Sequence, residues 1–218
     1  MSSPISPRLL KGGIILLDPD SGAVRRVIGL QYNPDSVTRS FQIKGVGAES
    51  GDRSEALRLK GPPVETIKIE AEIDATDQLE FPEQNPNAAT LGIQPQLAAL
   101  ETIVYPTTSQ LQSNNSLAQL GTLEIAPMQA SLTLFIWSRN RVVPMRLTEL
   151  SVTEEAFDPA LNPIRAKVSL GMRVLSVDDL GFDHKGGSLY LAYQQQKELL
   201  AGKSQGPGLA TFGLGGIP

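Results

Sequence analysis

The chain has 218 residues, a formal charge of −4 and no cysteine, which allows one sizeable core held by packing alone. Without a cationic excess a nucleic-acid partner is not expected, and without thiols there are no disulfides, thiolate metal sites or cysteine nucleophiles. No apolar run approaches a bilayer span, and the apolar stretch Gly13 to Leu17 runs straight into Asp18-Pro19-Asp20, so direct membrane insertion is not expected and a cytoplasmic location is.

In chain order, Gly13 to Leu17 and Val24 to Tyr32 read as two strands of a hairpin turned by Asp18-Pro19-Asp20-Ser21-Gly22. Residues 36–63 then alternate around Phe41 and Ile43, carry glycines at 45, 47 and 51, and return with mixed charge to Pro62-Pro63, which predicts a long hairpin. From Val64 to Ala75 the alternation is the clearest in the chain: Ile67, Ile69, Ala71 and Ile73 fall on one face and Lys68, Glu70, Glu72 and Asp74 on the other. That pattern is a half-buried strand.

Residues 77–121 read as an insertion. Its first part, with Pro82 and Pro86, is expected to be loop; Pro95 to Val104 has helical spacing entered through proline; and the Ser-, Thr-, Gln- and Asn-rich segment 106–121 is expected to be a surface loop. Three strand-like runs follow, Ala130 to Trp137, Met145 to Phe157 and Ile164 to Val177, paired antiparallel across Asp158-Pro159 and Asn162-Pro163. After Gly186-Gly187, Leu189 to Leu200 predicts a terminal helix, and residues 202–218 a flexible glycine-rich arm with scattered Leu209, Phe212, Leu214 and Ile217. The domain is therefore expected at 1–201, with the arm outside it.

Candidate chemistry is sparse. His184, the single histidine, lies between Asp183 and Lys185 near Ser188; a hydrolase would use it as general base, but sequence neighbours rarely form a triad and no nucleophile elbow is present, so it reads as a loop residue. Asp18 to Gly22 begins like a calcium loop, yet Gly22 and Gly29 stand where oxygen ligands are needed. Asp74, Asp77 and Glu80 are explained by a strand end leading into a solvated loop, and Gly45-Val46-Gly47 lacks what a phosphate loop requires. Trp137 sits in an alternating run and is expected in the core. No catalytic residue, metal or cofactor is assigned, and the expectation is a protein that assembles rather than catalyses.

Four phrases in order carry a family resemblance: Leu30-Gln31-Tyr32-Asn33-Pro34 with Ser36 to Phe41; Ile67 to Thr76; Leu134-Phe135-Ile136-Trp137; and Leu150 to Asp158 continuing through Asn162-Pro163 to Val168. Together they resemble the tube-like domain of the baseplate hub, or tube-initiator, proteins of phage-tail-like contractile injection systems, a family that often carries a LysM module. The resemblance spans Gly13 to Val177, and no LysM module is evident after it. It implies a mainly β fold, tail-tube-like packed antiparallel sheets in a sandwich or half-barrel, with flanking helices and a long hairpin that contacts the adjacent ring. It also implies a homo-oligomeric ring, hexameric in the family, with tube subunits, a spike protein and baseplate wedge proteins as partners.

Candidate contact residues are Phe41, Ile43, Lys44, Arg53, Arg58 and Lys60 in the hairpin, and Leu209 and Phe212 in the arm. The expected function is a hub ring joining spike to inner tube. A repeating inner-tube subunit is the alternative within that class, and a cytoplasmic ligand-binding β-sandwich module the alternative outside it.

Overall fold

The computed structural model describes residues 10–45, 58–119 and 130–217. Strands β1 (Gly13–Leu17) and β2 (Val24–Gly29) form the first hairpin. Its turn is held by Asp18, whose carboxylate accepts from the Ser21 amide at 2.8 Å and the Asp20 amide at 3.2 Å, while Gly22 supplies a φ of +67°. The backbone and hydroxyl hydrogen bonds of Ser21, then Arg25, hold the Asp18 carboxyl down at about 2. The turn needs no ion to explain its aspartates.

β3 (Val37–Gln42) pairs with β4 (Val64–Asp74) from Gln42↔Val64 to Val37↔Ile69. On β4 the expected alternation is realised, with Ile67, Ile69, Ala71 and Ile73 buried and Lys68, Glu70 and Glu72 exposed. The long hairpin continues past β3 as a Gly45↔Leu59 bridge. The stretch 46–57, with Arg53, lies outside the described residues.

β5 (Leu132–Ser138), β6 (Arg141–Phe157) and β7 (Pro163–Val174) close the sheet. The seven strands among the described residues lie in one antiparallel sheet, in the order β2-β1-β5-β6-β7-β4-β3. The main core fills one face with Ile14, Phe135, Val143, Met145, Val168, Leu170 and Met172, and Trp137 packs half-buried on Phe135 with ring centroids 6.0 Å apart. A second, smaller cluster takes the intervening β5 side chains Leu132 and Leu134 with Leu17, covered by Leu180 and Leu189. β5 is thus apolar on both sides because both are covered.

The sheet curls. The Gln31 side chain, just past β2, accepts from the Asp74 amide at 3.0 Å and donates to the Asp74 carbonyl at 2.6 Å, 43 residues away at the end of β4. Helix α3 (Gln94–Glu101) lies over the remaining gap, with Leu97 and Leu100 in the core, and a groove of about 310 Å³ remains between it, Val27 and Ile28 of β2, and Ala71 and Ile73 of β4. The half-barrel form of the expected architecture is therefore the one present, made from a single continuous sheet.

Three helical regions differ from expectation. In 77–89 the chain forms α1 (Thr76–Leu79) and enters α2 (Pro86–Leu91) through Pro86, a first-turn position where its missing N–H costs nothing. In 106–121 it forms α4 (Thr108–Gln119) rather than a loop. The cause is a capping box: the Thr107 hydroxyl accepts from the Gln110 amide at 3.3 Å, and the Gln110 side chain accepts from the Thr107 amide at 3.0 Å. The polar composition of the segment does show in its packing, since α4 buries no residue. After α5 (Val177–Leu180), helix α6 (Lys185–Ala201) starts four residues before Leu189. His184 is its N-cap, with Nδ1 accepting from the Gly186 amide at 3.0 Å. A Cβ on Gly187 would stand 1.9 Å from the Gly181 carbonyl oxygen, so only glycine lets α6 close on that segment. Beyond Ala201 the described arm residues are all exposed, with one 3₁₀ turn at Leu209–Phe212.

Candidate assembly interface

The base of the long hairpin gathers five of the eight candidate contact residues. The Gly45↔Leu59 bridge and a 2.9 Å hydrogen bond from the Lys60 amide to the Lys44 carbonyl bring the two limbs together beyond β3. Ile43 is 72% and Leu59 71% exposed, and Phe41 is 47% exposed. Arg58 and Lys60 are exposed and have no ion pair among the described residues, whereas Lys44 is half-buried and reaches Asp178 at 3.0 Å. Large apolar side chains that stand in water beside free cations suit a surface made to be covered.

Behind this surface lies a buried charge cluster that the candidate set omitted. Glu65, on the inward face of β4, accepts on Oε1 from Arg39 Nε at 2.8 Å and the Tyr193 hydroxyl at 3.0 Å, and on Oε2 from Lys197 at 3.1 Å. Arg39 also donates to the Tyr193 hydroxyl at 2.8 Å. The Glu65 side chain is only 4% exposed, so its charge is tolerated because every oxygen is engaged. Burial, reinforced by the neighbouring Glu65 carboxylate, pushes the Tyr193 hydroxyl up to about 12. The same cations flank Phe41: the Arg39 guanidinium carbon lies 4.9 Å and Lys197 Nζ 5.8 Å from its ring centroid. Glu65 thus ties α6 to the root of the hairpin and sets two cations around an exposed aromatic ring. The signal was present in the sequence, because Glu65 has the parity of Ile67, Ile69 and Ile73 and had to point inward with them.

The other two candidates, Leu209 and Phe212, are 44% and 68% exposed in the arm, and no hydrogen bond or ion pair joins the arm to the hairpin among the described residues. Among the described residues no strand pairs with the outer side of either end of the sheet. β2 is exposed, with Val24 and Val27 pointing to water, and β3 forms the opposite edge. Unpaired edges of this kind are templates for strand addition.

For the chemical candidates, the structure gives structural roles. Asp74 is turned to Thr76 and to Arg165 Nε at 2.7 Å; burial alone would raise its carboxyl, but the Thr76 hydrogen bonds and Arg165 outweigh it and hold it down. Asp77 and Glu80 are exposed and point to no common centre with it, and no group of three or more His, Asp or Glu among the described residues is placed to hold a metal. No helix among the described residues is long and apolar enough to cross a membrane.

No protein-family model matches the chain, and no curated protein matches it. Nine chains of solved structures align with it, among them the following two. One is a chain in the tail of an empty gene transfer agent particle determined with C6 symmetry, at 12% identity and a TM-score of 0.30, covering 75% of this chain and 90% of that one. The other is a chain in the virion of a native gene transfer agent particle, at 12% identity and a TM-score of 0.28 over the same shares. At these scores neither likeness carries an inference about this chain.

Proposed function

We propose that the chain is a non-enzymatic structural subunit of a phage-tail-like contractile injection particle, assembled in the cytoplasm, where it forms a ring at the baseplate hub and connects the spike to the inner tube. The observation that carries this reading is the hairpin base, where Ile43, Leu59 and Phe41 are exposed and Arg58 and Lys60, on either side of Leu59 in the sequence, have no ion pair among the described residues. A monomer gains nothing from exposing them, whereas a ring subunit buries them against a neighbour. The four ordered sequence phrases supply the type of particle, and the edges of β2 and β3, unpaired among the described residues, supply a means for subunits to continue one another's sheet. Tube, spike and wedge proteins are the proposed partners, and no cofactor is invoked.

Electron microscopy of particles purified through a tag on this chain tests the reading. Density for the tag at the baseplate is the expected result; regular density along the whole tube would give the repeating-subunit alternative, and a tag absent from any particle would sink both. The groove between α3, β2 and β4, about 310 Å³ and lined by Val27, Ile28, Ala71, Ile73 and Leu100, favours a second reading as a ligand-binding module. A chain that stays monomeric at high concentration and binds a small apolar ligand there would support that reading instead.

A further inference from the structure

The two ends of β4 carry opposite charge. Between Glu70 and Ser138 the sequence has no lysine or arginine at all. In that acidic stretch, α1 and the turn after it present Asp77, Glu80 and Glu83 to solvent, none in an ion pair among the described residues, around Phe81, which is 56% exposed. This acidic knob follows the Asp74 end of β4. The hairpin base, with Arg58, Lys60, Ile43, Leu59 and the cation-flanked Phe41, precedes the Val64 end. The strand between them is 11 residues long, so the two surfaces are separated by roughly 35 Å at about 3.3 Å per residue. The two surfaces are complementary in charge, each with an exposed aromatic ring, acids on one and unpaired cations on the other, and they lie at opposite ends of one strand, so they can meet only between copies.

We infer that the acidic Phe81 knob of one copy docks on the hairpin base of a second copy, as a heterologous contact between unlike surfaces. Such a contact closes a ring when the rotation between copies closes and otherwise propagates as a filament. It names the partner of the hairpin base and rests on the assembly reading above. Opposite-sign surfaces of this kind set register and suppress like-to-like pairing, since two hairpin bases or two knobs repel.

A charge-reversal cycle on the full chain tests the contact. One variant carries Glu80→Lys with Glu83→Lys, and the other Arg58→Glu with Lys60→Glu; all four side chains are exposed and free of ion pairs among the described residues, and thermal melting verifies each fold. In sedimentation velocity at about 50 mM salt, the natural chain is expected to self-associate and each variant alone to associate at least about tenfold more weakly. An equimolar mixture of the two variants is expected to associate again, because each supplies the end that the other lacks. Glu80→Gln with Glu83→Gln, which removes charge without reversing it, gives an intermediate loss and replaces the first variant if that one melts early. A monomeric natural chain, variants that associate normally, or a mixture that fails to recover each overturn the contact. Particle incorporation separates this from the broader reading. Recovery in the mixture with a chain never found in particles keeps the contact and removes the particle; reversed variants that enter particles normally do the opposite.

Discussion

At the scale of single residues, Glu65 has the largest predicted effect. Replacing it with leucine leaves Arg39, Lys197 and the Tyr193 hydroxyl without their shared acceptor. Because Arg39 and Lys197 are 26% and 33% exposed and can rehydrate in part, the cost is expected at about 2 kcal/mol rather than the full cost of orphaning a buried pair. Glu65→Gln, which keeps an acceptor for Tyr193, is expected to cost about half of that, and denaturant titration of the two variants measures the difference. Titration adds two limits. Asp18, Asp74, Asp158 and Asp179 all have folded carboxyls held below their ordinary value: Asp158 by the Asn162 side chain and amide, and Asp179 by the Ser176 amide and Arg173 against the opposing effect of burial. A depressed carboxyl contributes stability that is present above its unfolded value near 4 and lost as pH falls through the folded value. Melting temperatures should therefore fall between pH of about 4 and about 2, the value reached by Asp18. Tyr193 gives the opposite limb: with its hydroxyl raised to about 12, its contribution is complete below the ordinary value near 10 and lost as pH climbs through about 12. A Tyr193→Phe variant, which also loses the hydroxyl's bond to Glu65, should shrink the alkaline limb, while Tyr190, likewise raised by burial, keeps a part of it.

At the scale of elements, the hairpin and α4 give contrasting expectations. Replacing residues 45–60 with an Asn-Gly turn should leave the core folded, since β4 keeps Ile67, Ile69 and Ile73 buried and its ladder to β7 runs from Thr66 to Asp74. Circular dichroism and melting should be near normal while co-purification with tube and spike proteins is lost; unfolding would show instead that the segment belongs to the core. Helix α4 buries nothing, so Ser116→Pro, which costs an interior helix about 3 kcal/mol, should erase amide protection in Thr108–Gln119 and leave the melting temperature unchanged. Strands were readable from the sequence wherever one face is covered, because burial imposes a period of two, as on β4, and apolar runs on both faces marked β5 correctly. Helices were harder. α4 and α2 depend on caps and on a single proline at an entry position, which decide two or three hydrogen bonds and leave no periodic trace in composition. The hairpin was legible from the alternation around Phe41 and Ile43, its glycines and its mixed-charge return, but the Glu65 cluster was missed. The parity of β4 turns Glu65 inward, but its partners lie on β3 and α6, 132 residues away in the case of Lys197, and no local pattern announces which groups will meet it.

At the scale of the whole molecule, the sheet ends on β2 and β3 among the described residues and is nevertheless curled, because Gln31 fastens the β2 side to Asp74 through both of its amide atoms. The longest seam lies at its centre: β6 and β7 pair from Met145↔Val174 to Phe157↔Pro163, interrupted by bulges after Leu147 and near Ala156. The consequence is mechanical. Hydrogen bonds in an antiparallel ladder run across the strands, so a load applied along β6 and β7 strains the whole row at once in shear, whereas a load applied across them opens the bonds one at a time from an end. The same chain is thus stiff in one direction and easily peeled in the other. Attaching handles at Arg141 and Val174 loads the neighbouring strand ends by peeling, and attaching them at Phe157 and Val174 loads the seam lengthwise. In single-molecule pulling the second geometry should rupture at the higher force, and a material built by setting such seams parallel to one another would carry tension along that axis while remaining separable at right angles to it.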